Sequence, residues 1–169
     1  CEYAGGYGGD SSYGGGPSYD AGEQCESAAG GEFGLGGGAC AGGDYFGGGG
    51  GGGYYGGGGA YDAGGGGGSS YSADNVEYVG INELYDDGYV RLEFSVLSLS
   101  DSLEYRFRGS PYNFVVPPYA VAMRVTLVGA AGQSNSAPGG RGGRITTKYE
   151  VSPGEAFQIN VGGSGEDGG

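Results

Sequence analysis

The chain has 169 residues and a formal net charge of −13, from 20 acidic and 7 basic residues, and it contains no histidine. This balance disfavours binding to nucleic-acid backbones and to anionic membrane surfaces, both of which need clustered Lys and Arg. The composition also excludes histidine bases and histidine metal ligands, and no apolar run approaches the roughly 20 residues of a membrane span. We expect no nucleic-acid partner, no membrane insertion and no cofactor.

Glycine dominates the first 70 residues, which hold 32 glycines, eight acidic residues and no basic residue. Such a segment is typical of linkers, because ordering glycine costs the most backbone entropy and leaves few side chains to bury. An ordered chain of this composition needs a very regular backbone packing. Residues 47–53 are consecutive glycines, Tyr54 and Tyr55 follow, and the glycine runs lack the collagen period.

The three cysteines, Cys1, Cys25 and Cys40, all lie in this glycine-rich half and none forms a CxxC pair. Without histidine, a zinc site in one chain lacks ligands. The pattern favours one disulfide, such as Cys25–Cys40, with the third cysteine left either for an intermolecular bridge or as a free thiol. The alternative is that all three are reduced and packed. Because the chain starts at cysteine, we expect a processed product or a window of a longer protein.

From residue 76 onward the chain changes to short alternating segments that predict β-strands. The residues 97–101 are either a connector or a strand continuation. No segment shows a helical period, so we predict an all-β, antiparallel fold, most simply a β-sandwich. The predicted strands are 76–81, 89–97, 103–108, 112–116, 121–128, 145–151 and 156–161.

None of the short motifs indicates catalysis. Gly139 to Arg144 reads GGRGGR and resembles an RNA-binding RGG box, but one copy in so acidic a chain favours a strand entry. No glycine run is followed by the Gly-Lys-Ser/Thr of a phosphate loop, and the serines have no histidine partner. The carboxylate pairs at 86–87 and 166–167 are adjacent and point apart, which favours turns over a glycosidase pair. We predict that the protein is not an enzyme.

Tyrosine is abundant, with 16 copies and no tryptophan. We expect most of these rings to cover glycine segments, because tyrosine buries a large area with little entropy loss. Adhesive contact and dityrosine cross-linking are the functional alternatives. Tyr54 and Tyr55, between two glycine runs, are the candidate contact residues.

Three motifs in the second half carry a family resemblance. They are YNFVVPPYAVAMRVTLVGAAGQ at 112–133, GGRGGR at 139–144 and VSPGEAFQINVGGSGEDGG at 151–169. Together they resemble the opening half of a glycine-rich domain found in phage tail-fibre adhesin tips and in the anaplastic lymphoma kinase and leukocyte tyrosine kinase ectodomains. The closing half of that domain is similar to residues 47–94, which include GGGGGSSY at 64–71 and DGYVRLEF at 87–94.

The resemblance implies a β-sandwich from which glycine-rich loops project as packed polyglycine II helices. Such helices have three residues per turn and no internal hydrogen bonds, so their N–H and C=O groups must pair with neighbours. The order of the halves is reversed here, with the closing half first. The chain is then a circular permutant, a window of tandem repeats, or a subunit whose opening half completes the next subunit in a filament.

We therefore divide the chain into a Gly/Tyr-rich closing half (1–97), a connector with a first strand (98–110) and an opening half (111–169). The predicted function is a structural subunit of an extracellular filament, appendage or surface layer, whose partners are copies of itself. The alternative is an adhesin or receptor-type binding module that uses its tyrosine-rich loops, with glycans as a further class of partner. The candidate inter-subunit residues in the connector are Leu99, Leu103, Tyr105 and Phe107.

Overall fold

A computed structural model describes residues 5–18, 28–42, 45–72, 76–83, 85–96 and 99–165. The predicted all-β, antiparallel fold is confirmed: these residues form strands and no helix, and so none that could cross a membrane. The strands are β1 (Ala41–Gly42), β2 (Tyr45–Phe46), β3 (Val76–Ile81), β4 (Tyr89–Val96), β5 (Leu99–Arg106), β6 (Tyr112–Val115), β7 (Ala122–Val128), β8 (Gly143–Glu150) and β9 (Ala156–Ile159).

The largest sheet has five strands in the order β3-β8-β7-β4-β5, and every neighbouring pair is antiparallel. The apolar residues of β4 and β7 alternate along each strand, as half-buried strands require. Val90 and Leu92 of β4 are buried, as are Met123 and Val125 of β7. This alternation gives the sheet one core-facing side.

A two-stranded sheet, β6–β9, packs on the core-facing side of the large sheet. Phe114 of β6 stacks on Phe94 of β4 with ring centroids 5.6 Å apart, and Ile159 of β9 joins the same core. The two sheets therefore share one hydrophobic core, as in a β-sandwich with layers of unequal width. The loop that precedes β7 closes one end of this core with Val116 and Ala120.

The two predicted halves of the chain pair with each other in the large sheet. β4, from the first half, lies between β5 and β7, and β3 pairs with β8. The undecided residues 97–101 belong to a β4–β5 hairpin, in which Val96 lies opposite Leu99. Most of the segment 98–110 is thus strand β5, and the sheet is complete within a single chain.

Beside the sheets, extended glycine-rich segments are joined by backbone hydrogen bonds, and we call this part the glycine lattice. Two bonds that join the same two segments are usually three residues apart on each segment: Gly48 and Gly51 donate to Ala63 and Gly66. The segments of the lattice are 5–9, 14–18, 28–31, 35–40, 47–53, 55–60, 63–69, 128–133, 138–143 and 161–165.

The segment 55–60 shows this period of three most fully. The N–H groups of Gly56, Gly57 and Gly58 donate to three different segments. Three residues after Gly56 and Gly57, the N–H groups of Gly59 and Ala60 donate to the same two segments again. Its carbonyl groups accept bonds from three further segments, and none of these bonds lies within the segment itself. Six surrounding segments and a three-residue repeat describe the lattice around this segment, while the polyglycine II helices that the family resemblance implies stay a prediction.

Candidate functional site

Four aromatic rings meet at one end of the glycine lattice, and we call them the aromatic cluster: Phe33, Tyr54, Tyr55 and Tyr71. Tyr54 contacts all three of the others, with ring centroids 5.1 Å from Phe33, 5.1 Å from Tyr55 and 4.6 Å from Tyr71. The Tyr54–Tyr71 pair is stacked and the other contacts are edge-to-face, geometries that stabilise aromatic pairs.

The backbone around Ser69 fixes the two predicted contact tyrosines. The Tyr54 N–H donates to the Ser69 carbonyl at 2.8 Å, and the Tyr55 N–H donates to the Ser69 hydroxyl at 3.0 Å. That hydroxyl is buried and lies 2.7 Å from the Asp10 carbonyl, to which it donates. The tyrosine pair is therefore held on a rigid base rather than on a free loop.

The structure places Tyr54 and Tyr55 half-buried inside the cluster, whereas Phe33 is 66% exposed and Tyr71 41% exposed. Phe33 was missed from the sequence because it stands alone between polar and glycine residues. A turn at Gly34, whose φ of +80° favours glycine, follows it and brings its backbone into a bridge with Tyr55. The one sequence feature that could have indicated Phe33 as a site residue is a single apolar residue directly before a glycine turn.

The aromatic cluster stands at a groove of about 1330 Å³ between the glycine lattice and the sheets. Its floor includes core residues such as Leu92, Met123 and Val125, and Phe157 and Ile159 of β9 line it as well. No acidic or basic residue is among the described residues that line it. The volume lies above the 300–1,000 Å³ typical of small-molecule sites.

The large sheet has two open edges. Among the described residues, β3 pairs with β8 alone and β5 with β4 alone. On β5, Leu103 is 39% exposed, and Phe107, just beyond the strand, packs its ring against Gly163. Leu99 begins the strand, and its side chain lies outside the description.

Tyr105, the remaining predicted contact residue of β5, belongs to the core rather than to the surface. Its ring lies 4.9 Å from that of Tyr112 and 6.4 Å from that of Phe114. Burial raises the pKa of the Tyr105 hydroxyl, and the neighbouring Tyr112 adds to the effect. Tyr105 therefore anchors the edge strand to the core, while Leu103 is the more open of the two.

Charged groups flank the β5 edge. Glu104 accepts a bond from Arg91 of β4 at 2.5 Å and a second from Arg106 at 2.7 Å. The hydrogen bond from Arg91 lowers the pKa of Glu104, against an opposing effect of burial, and the charge of Arg106 helps. Arg108 stacks on the Tyr112 ring, 3.6 Å from its centroid.

Cys40 is buried in the lattice and disulfide-bonded. Cys1 and Cys25 lie outside the described residues, so the predicted Cys25–Cys40 pairing and the intermolecular bridge stay predictions. Among the described residues, no group of three or more Cys, Asp or Glu side chains could hold a metal ion.

Comparisons of this chain with protein-family models, with curated proteins and with solved structures found no match. The resemblance to the glycine-rich domain family thus rests on the sequence motifs alone.

Proposed function

We propose that this protein is a structural subunit of an extracellular filament, appendage or surface layer, built from copies of itself. The observation that carries the proposal is the glycine lattice. Its segments come from both halves of the chain and are tied together by backbone hydrogen bonds in several directions. Within the lattice these bonds join the segments with few buried side chains, which suits a load-bearing element.

The entropic cost of ordering the lattice also supports the proposal. Ordering a glycine-rich backbone is entropically expensive, and the many backbone hydrogen bonds between the segments offset that cost. Catalytic groups usually lie on mobile loops, whereas the segments of this lattice are held by hydrogen bonds to their neighbours. The glycine lattice therefore suits the transmission of force between neighbouring subunits better than it suits catalysis.

Electron microscopy of the native material tests this function, combined with sedimentation over a range of protein concentrations. We expect regular polymers that lengthen with concentration. Addition of a reductant should shorten or fray these polymers if a disulfide joins the subunits. Polymers that do not respond to reductant would contradict the intermolecular disulfide but not the structural role. A single monomeric species at every concentration would overturn the structural role.

The second candidate is an adhesin or receptor-type binding module, and the aromatic cluster favours it. Phe33 and Tyr71 are exposed at a neutral groove on a rigid base, an arrangement suited to stacking on a sugar face. Replacement of Phe33 and Tyr71 by alanine should abolish glycan capture without preventing self-assembly. If the same substitutions instead prevent assembly, the cluster serves the structural role.

A further inference from the structure

We propose that copies of this protein join head to tail by pairing the β5 edge of one copy with the β3 edge of the next, in parallel, so that the five-stranded sheet continues through the assembly. This inference rests on the proposed structural function and names the contact that it would use. The occupant of each edge is a second copy of the same chain.

The first argument is that β3 leaves apolar side chains exposed on the core-facing side of the sheet. Val79 lies opposite Ile145 of β8, and the same cross-strand row continues through Leu127 and Val90 to Tyr105. Residues opposite each other in a sheet point to the same face, so Val79 lies on the core-facing side. It is nevertheless 71% exposed, and Ile81, two residues on, is 57% exposed.

Edge strands of monomeric proteins are usually protected by lysine, proline, a bulge or a covering loop. β3 has a register shift between Val76 and Tyr78, but the stretch from Tyr78 to Ile81 pairs regularly with β8 and contains no charge. At the opposite edge, Leu103 lies in the row of Leu92 and Val125 and is partly exposed. The two open edges therefore present matching apolar rows.

The second argument is strand direction. Because all four pairings of the sheet are antiparallel, the first and fifth strands, β3 and β5, run the same way. A neighbour placed by translation along the sheet therefore sets its β3 parallel to β5. The assembly then keeps one open edge at each end, a β3 edge at one end and a β5 edge at the other, so the contact repeats without closing.

The third argument is charge. In a parallel pair, the carboxyl end of β3 lies beside the carboxyl end of β5. Exposed Glu83 and Asp86 follow β3, exposed Arg106 is the last residue of β5, and exposed Arg108 lies two residues beyond it. Opposite charges would therefore face each other across the contact, with Arg106 also paired to Glu104 and Arg108 stacked on Tyr112 within its own copy.

An antiparallel β3–β3 contact centred on Gly80 would set Glu77, which pairs with Arg124 in its own copy, opposite Glu83 of the other copy. A β5–β5 contact would leave Val79 and Ile81 uncovered.

Two lysine substitutions and one matched control test the contact in the full chain. Val79→Lys places a charge on the β3 edge, and Leu103→Lys does so on the β5 edge. Val121→Lys is the control, because Val121 has the same side chain as Val79 and is 70% exposed but lies in the loop before β7. Circular dichroism and thermal melting check that all three variants fold.

We expect sedimentation to show polymers for the wild type and for Val121→Lys, and monomers for each edge variant alone. An equimolar mixture of Val79→Lys and Leu103→Lys should form a heterodimer and stop there, because the first retains an intact β5 and the second an intact β3. A misfolded variant would not form that heterodimer, so the mixture separates a lost contact from a lost fold.

Polymers formed equally by the wild type and both edge variants would overturn the inference and leave the structural function standing. If one edge variant remains a stable dimer while the other is monomeric, the contact is isologous and the head-to-tail arrangement is wrong. A wild type that stays monomeric would overturn both the inference and the proposed function.

Discussion

At the residue scale, the glycine lattice depends on the absence of side chains where backbones meet. Gly57 is buried in the central segment, and a Cβ atom built on it would overlap the carbonyl group of Gly66. The obstructing atoms are backbone, which cannot rotate out of the way as a flexible side chain can. Glycine is required here by close approach rather than by an unusual backbone conformation.

Replacement of Gly57 by alanine should therefore destabilise the protein by about 1–3 kcal/mol or more, the usual range for overpacking a filled interior. Urea unfolding of the two proteins measures the difference. Gly16→Ala is the matched control, because its added Cβ would have Tyr7 Cδ2, at 3.8 Å, as its nearest neighbour. The control should be neutral or slightly stabilising, since alanine restricts the unfolded chain. Equal effects of the two substitutions would contradict the lattice as described.

At the element scale, the β4–β5 hairpin is fixed on its outer face by cross-strand charges. Arg91 lies opposite Glu104 in the register, and Arg106 reaches the other carboxylate oxygen of the same residue. Opposite charges directly across two strands contribute modestly to sheet stability. The hairpin matters because it joins the two halves of the chain and carries the β5 edge.

Glu104→Gln should lower the free energy of unfolding at neutral pH by at most about 1 kcal/mol, as is usual for exposed ion pairs. The pKa of Glu104 is lowered in the folded protein by the Arg91 hydrogen bond. The contribution of ionised Glu104 to the free energy of unfolding is therefore present above its unfolded-state pKa of about 4.3. This contribution is lost as the pH falls through the lower pKa of Glu104 in the folded protein. The two proteins should thus converge in stability as the pH falls below the lowered folded-state pKa of Glu104.

Urea unfolding over that pH range measures the effect, and Glu150→Gln, at the exposed end of β8, controls for the removal of one negative charge. A difference that persists undiminished at low pH would show that the loss comes from packing and not from the ionised carboxylate.

The elements also show how far the sequence could predict the structure. The strands β4 and β7 were predictable because their alternating apolar residues match a half-buried sheet. The β4–β5 hairpin was left undecided because the serine and leucine residues at 97–101 suit both a strand and a connector. Neighbours within the glycine lattice could not be predicted at all, since a run of glycines carries no side-chain pattern to fix its register.

The candidate site was predictable in part for a similar reason. Tyr54 and Tyr55 stood out between glycine runs, but their partners Phe33 and Tyr71 are brought to them only by lattice packing. The β5 edge was anticipated through Leu103, whereas the exposure of Val79 depends on which strand lies at the edge of the sheet. Strand order comes from pairings distant in sequence, which local patterns do not record.

At the scale of the whole molecule, the two halves of the chain depend on each other. β3 and β4 lie in the same sheet as β5, β7 and β8, and the lattice takes segments from before residue 70 and after residue 127. Neither half alone supplies a complete sheet or a complete lattice. We therefore expect the chain to unfold as one cooperative unit, with a single transition in urea.

Net charge then sets the ionic strength at which such subunits can associate. Copies that each carry −13 repel one another over about 30 Å at roughly 0.01 M salt, but over only about 8 Å at roughly 0.15 M. In the proposed contact, the attraction between Glu83 or Asp86 of one copy and Arg106 or Arg108 of the next would act at shorter range and would survive until the salt concentration is higher.

Assembly should therefore respond to sodium chloride in two opposite directions. Sedimentation should show mostly monomers at about 0.01 M, most polymer near about 0.15 M, and less again towards about 1 M, as the local charge pairs become screened. Calcium chloride at equal ionic strength controls for specific cation binding, which would promote assembly beyond the sodium curve. Assembly that declines steadily from the lowest salt upward would mean that attraction between charges dominates at all distances, and the repulsion of the acidic bodies would then play no part.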